Sequence, residues 1–141
     1  MALYNFRSAH VMTGNKTIEN RKPIWKVISE FYLDTELQKF DYDRISEILI
    51  ASNFDIEELK AIDLYEVFPV VKGNLLSVAG EWNRFDQNWL NEACEKTYLK
   101  RKIGFFRWKI KFYNQFLYSM RKDHWTEIEN RIKKHYDREL S

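Results

Sequence analysis

From residue 23 onward, apolar residues recur at helical spacing along most of the chain. Pro23 suits the first turn of a helix, where its missing N–H is not needed. Behind it Ile24, Val27, Ile28 and Phe31 carry that helix to about Leu33. Asp34 and Thr35 begin a turn. Asp41 or Asp43 can cap a second helix with Ile45, Ile48 and Leu49 inward, and Ser52-Asn53 favours a turn at its end. Asp55, with Glu58 three residues on, has the spacing of a capping box. The helix it opens uses Ile56, Leu59 and Ile62.

Pro69 removes the N–H that would bond the carbonyl of Tyr65, which predicts a kink or a new start there. From Phe68 to Trp82 apolar residues surround nearly the whole helix circumference. Val71, Leu75, Val78 and Trp82 form one stripe, and Val70, Leu76 and Ala79 cover other directions. A helix apolar all round is buried, so this is read as the central helix, ending near Gly80. Asp86 caps the next, which carries Trp89, Leu90, Ala93, Cys94 and Tyr98. Between 107 and 112, basic and apolar residues alternate as in a strand. The helical template runs longer, with Phe105, Trp108, Phe112 and Phe116 on one line and Phe106, Ile110, Tyr113 and Leu117 beside it. At core spacing, most of these aromatics are expected to be buried. Asp123 caps a last helix with Trp125, Ile128, Ile132 and Tyr136 inward. Residues 1–22 lack sustained periodicity and read as a loosely ordered arm, with Met12 an alternative start to Met1. The pattern therefore predicts an all-α protein. A single-domain bundle of about six helices over 23–141 surrounds a buried central helix (about 68–80) kinked near Pro69.

Composition agrees. In 141 residues there are only 4 Gly and 2 Pro, too few for a turn-rich sandwich, and 45% of the chain is hydrophobic. No apolar run approaches the roughly 18 residues of a membrane span. Neither a secretory signal nor a membrane partner is expected, and a cytoplasmic location is the default. The lone Cys94 excludes an internal disulfide and a multi-cysteine metal site.

Charge changes the picture more. The net +2 conceals a middle segment, 24–95, with 6 basic and 15 acidic residues (−9). A last third, 96–141, has 13 basic and 5 acidic residues (+8). Such asymmetry points to a charged partner, or to two halves that attract one another across the fold.

Candidate chemistry is sparse. Asn74, Ser77 and Glu81 share a face of the central helix and read as a polar seam that fixes register. Close carboxylates such as Asp34 and Glu36 are explained by helix starts, where they meet the dipole. His124 and His135 lie eleven residues apart, too far for one ion, and no cofactor, metal or catalytic motif is found. Cys94 falls at an apolar helix position and reads as an inert thiol. An enzyme would need a polar pocket near Glu66, Asn74 and Glu81. The basic, aromatic last third, with Arg107, Lys109 and Lys111, offers phosphate contacts and stacking faces for a nucleic acid.

Pro23-Ile24-Trp25, Leu33-Asp34-Thr35-Glu36-Leu37, Glu66-Val67-Phe68-Pro69 and above all Asn74-Leu75-Leu76-Ser77-Val78-Ala79-Gly80-Glu81-Trp82 carry a resemblance over about Pro23 to Leu90. Together these strings resemble a bacterial family of small uncharacterised proteins with no assigned activity. By analogy of size and class, the expectation is a non-enzymatic immunity protein that neutralises a cognate toxin by binding it. Its partner would be a basic toxin domain steered by exposed carboxylates, of which Asp34, Glu36, Asp41, Asp43 and Glu47 are the candidates. The nucleic-acid module and the enzyme stand as alternatives.

Overall fold

A computed structural model describes residues 14–33, 36–75 and 85–140, with side chains over 17–33, 36–72 and 85–140. The described residues hold seven α-helices: α1 Gly14–Ser29, α2 Lys39–Ala51, α3 Ile56–Ile62, α4 Phe68–Leu75, α5 Gln87–Lys100, α6 Gly104–Leu117 and α7 Lys122–Leu140. A π-helical turn, Asp63–Val67, joins α3 to α4 without a break, so the helices form six rods. No strand occurs among the described residues, and the 107–112 alternation lies within α6.

The helix ends follow local chemistry. Asp55 accepts from the Glu58 N–H at 2.8 Å while Glu58 accepts from the Asp55 N–H at 3.2 Å, closing the expected capping box. Asp86 caps α5 through the Trp89 N–H at 2.8 Å. After α2, Ser52 and Asn53 make the turn, with Asn53 at φ 64°, a left-handed conformation asparagine tolerates. Two starts differ from expectation. Gln38 precedes α2, and Asp41 acts from the first turn by accepting the Gln38 N–H at 2.8 Å. In α7, Asp123 likewise lies inside the first turn rather than before it.

The arm is a further correction. Helix α1 begins at Gly14, so residues 14–22 extend it and Pro23 sits within it on the exposed side. An interior proline costs about 3 kcal/mol. The turns before it are anchored by tertiary contact: Thr17 is buried, Ile18 packs on the core, and Arg21 stacks over Phe54 and Tyr98. Residues 1–13 lie outside the described residues.

At Pro69 the chain makes a wide turn. The Phe68 N–H reaches back five residues to the Asp63 carbonyl, and the helix resumes with the proline in its first turn, where no N–H is missed. At the start of this helix Phe68 and Val71 belong to the core, with Tyr65 and Val67 of the π turn and Trp25, Ile28, Phe31, Leu90 and Trp125, while Pro69 and Val70 are half-buried. The side chains of Leu75, Val78 and Trp82 lie outside the described residues. In α7, Trp125, Ile128 and Ile132 point inward, whereas Tyr136 is exposed.

Candidate functional site

Helix α2 displays Asp43 and Glu47 along the side away from Ile45 and Leu49, while Asp41 lies nearer that buried side. Arg44, one turn beyond Asp41, spans Glu30 at 2.6 and 3.0 Å and Asp41 at 3.4 Å. Asp43 and Glu47 stand four residues apart, hence on one face, and that face looks toward α7. There Arg131, Lys134 and Arg138 recur at spacings of three and four. Arg131 Nη1 pairs with Asp43 Oδ1, and its Nε donates to Glu127 at 2.9 Å. Between the two helices lies an open groove of about 500 Å³, lined by Lys39, Asp43, Glu47, Glu127, Arg131, Lys134, His135 and Arg138 among others. Glu47, Lys39 and Lys134 form no ion pair with any described residue. Of the five candidate carboxylates, the structure therefore unites Asp43 and Glu47. Asp41 is engaged with Arg44, Glu36 is exposed ahead of α2, and Asp34 lies outside the described residues.

A second polar cluster is enclosed. Asp63 and Glu66, both on the π turn, are buried. The Tyr32 hydroxyl donates to Asp63 Oδ1, while Trp125 Nε1 (2.8 Å) and Arg121 Nε (3.2 Å) donate to Oδ2. Arg121 also donates to Asn114 at 2.9 Å. Glu66 accepts from Trp25 Nε1 at 2.9 Å, and Arg21 lies 3.6 Å away, close enough for charge attraction but not for a hydrogen bond. Burial pushes the Glu66 carboxyl above its ordinary range, against the pull of Arg21 and of the Trp25 bond. Burial, with Glu66 adding to it, raises the Cys94 thiol so far that it stays protonated and inert. Of the residues an enzyme would use, only the Glu66 side chain is described, and it is only 2% exposed. Asn74 has its backbone in α4, while its side chain and all of Ser77 and Glu81 lie outside the described residues. Among the described residues no group of three or more His, Cys, Asp or Glu is placed to hold a metal.

Residues 19–131 match the family described as Domain of unknown function (DUF7079). The chain belongs to that family. The family span takes in the π turn, its partners Trp25, Arg121 and Trp125, and the groove as far as Arg131, but not Lys134, His135 or Arg138. It is wider than the strings that carry the resemblance. No curated protein matches the chain, and no solved structure does.

Helix α6 overturns one expectation outright. Phe105, Trp108, Phe112 and Phe116 are exposed, and the buried positions are Ile110 and Leu117. The helix is apolar on two sides, and the core takes the aliphatic one. Of the three basic candidates, Lys109 and Lys111 face solvent. Arg107 is half-buried, 3.9 Å over the Tyr65 ring, and donates to the Arg101 carbonyl at 2.8 Å. Sequence reasoning missed Asp63 and Arg121. The signal available was a lone carboxylate inside the apolar run Ile62–Leu64, where a charge needs a partner.

Proposed function

We propose that the chain is a non-enzymatic bacterial protein of the cytoplasm that binds another protein, in the specific form of an immunity protein neutralising a cognate toxin. The observation that carries this reading is the groove between α2 and α7. It presents both signs of charge in a fixed pattern, with Glu47, Lys39 and Lys134 free to meet a partner. A mixed pattern sets register and rejects wrong partners, which is what recognition of one protein requires. A nucleic acid would call for a surface of one sign. Basic side chains of a toxin domain would meet Asp43, Glu47 and Glu127.

The test is co-expression with toxins encoded beside the gene, scored by survival, followed by measurement of 1:1 complex formation. Glu47→Lys with Lys134→Glu should slow association about tenfold. Equal killing with and without this protein would overturn the reading.

One observation favours a second reading: Lys109 and Lys111 flank exposed rings on α6. A nucleic-acid module predicts binding to single strands at low salt that weakens steeply as salt rises. No binding at low salt would end it.

A further inference from the structure

Opposite its buried Ile110 and Leu117, α6 carries a ridge of four rings. Phe105, Trp108, Phe112 and Phe116 are 73%, 65%, 49% and 67% exposed. Their centroids follow one another at 6.2, 6.1 and 5.4 Å, so they form one continuous edge. From the first to the last it runs about 16 Å along the axis. Ile103 and Met120 extend exposed apolar surface at the two ends. On the helical wheel, Lys109 lies to one side of the ridge and Lys111 to the other, with Lys102 just before the helix. Gly104–Leu117 contains no carboxylate.

We propose that this face lies on an anionic lipid bilayer surface. The rings would seat at the boundary of headgroups and acyl chains, and the flanking ammonium groups would meet lipid phosphates. A helix with Trp and Phe on one face and lysines beside them has the composition of an interfacial helix. Such a helix lies in the surface and needs no span, so the length argument against a spanning segment does not bear on it. Other occupants fit less well. A second copy docked α6 to α6 sets three cations against three, with no carboxylate on either helix to relieve them. Bases stack on open ring faces, and at the middle of the ridge Trp108 and Phe112 already stack on one another. A protein partner uses about one hydrogen bond per 100–200 Å², whereas the side chains beside the ridge offer two ammonium groups, the Gln115 amide and the Tyr113 hydroxyl.

The experiment is co-sedimentation of the full chain with vesicles of phosphatidylcholine alone, and with phosphatidylglycerol as about a third of the lipid. The anionic vesicles should bind at least about tenfold more tightly, and binding should fall between about 0.05 M and 0.5 M salt. Trp108→Ser with Phe112→Ser should abolish it while the circular dichroism spectrum stays helical, and Lys109→Glu with Lys111→Glu should abolish the lipid preference. Glu47→Lys in the groove should leave it intact, which keeps this inference separate from the protein-binding reading. A protein that stays in the supernatant overturns the proposal, as does vesicle binding indifferent to the ridge variant. A two-chain mass by light scattering that Trp108→Ser with Phe112→Ser returns to one chain overturns it too, and assigns the face to a second copy.

Discussion

Asp63 is the side chain on which the interior depends. Three donors converge on its carboxylate, Tyr32 from the chain just after α1 and Arg121 and Trp125 from the start of α7, and Arg121 is almost wholly buried beside it. Asp63→Asn would leave that guanidinium buried without its counter-charge, and breaking such a pair costs about 3–5 kcal/mol. A urea titration should show this as a lower midpoint with an unchanged slope. Arg121→Met in the same chain should restore part of the loss. Glu66 behaves differently. Its carboxyl is held above the ordinary 4.5 by burial, so above pH 4.5 the folded chain binds more protons there than the unfolded one. Stability therefore falls as pH rises through that window. Glu66→Gln keeps the acceptor for Trp25 and removes the titration. The stability of wild type minus that of Glu66→Gln should decline with pH, and a flat difference would show that the group is not desolvated. None of these pairings was legible in the sequence, because the partners lie 31 to 62 residues apart. Only the placement of a carboxylate within an apolar run hinted that one existed.

Elements were more readable where they depend on neighbours. The caps at Asp55 and Asp86 and the turn at Ser52-Asn53 involve residues two to three apart, and all three are where local chemistry puts them. Asp86→Ala should cost about 1 kcal/mol and speed amide exchange in the first turn of α5. Periodicity identified α6 as a helix but could not say which of its two apolar sides meets the core, since that is decided by the shape of the π turn and α4 it packs on. Paired substitutions check the answer. Ile110→Ala should cost about 2–5 kcal/mol, whereas Phe112→Ala should stay within about 0.5 kcal/mol. Equal losses would mean that the ring ridge is covered. The start of α1 was illegible for a related reason: the burial of Thr17 and the contacts of Ile18 and Arg21 with distant elements outweigh a proline that local rules place at a helix start.

For the molecule as a whole, the acidic middle and the basic last third do meet. Arg131 reaches Asp43, and between the same segments, with the signs reversed, Lys60 lies 3.4 Å from Glu129. These pairs are partly exposed and contribute little each, so raising salt from about 0.05 M to 0.5 M should change the unfolding free energy by no more than about 1 kcal/mol. The candidate groove could be anticipated only in part. Asp43 and Glu47 were visible as carboxylates, but their facing cations come from a helix some 80 to 90 residues later, and only the bundle brings the two rows together. The π turn governs that bundle in another sense. It holds one residue more than an α-helical turn would, and four of its five side chains are buried. Were the same residues wound as a regular α-helix, everything after them would rotate by about 100°, and Phe68 and Val71 would swing out of the core. Deleting one residue instead would let a regular turn sweep nearly the same angle and leave that phase almost intact. The extra residue therefore acts as a setting of phase between two stretches of one rod, where a loop would only add slack.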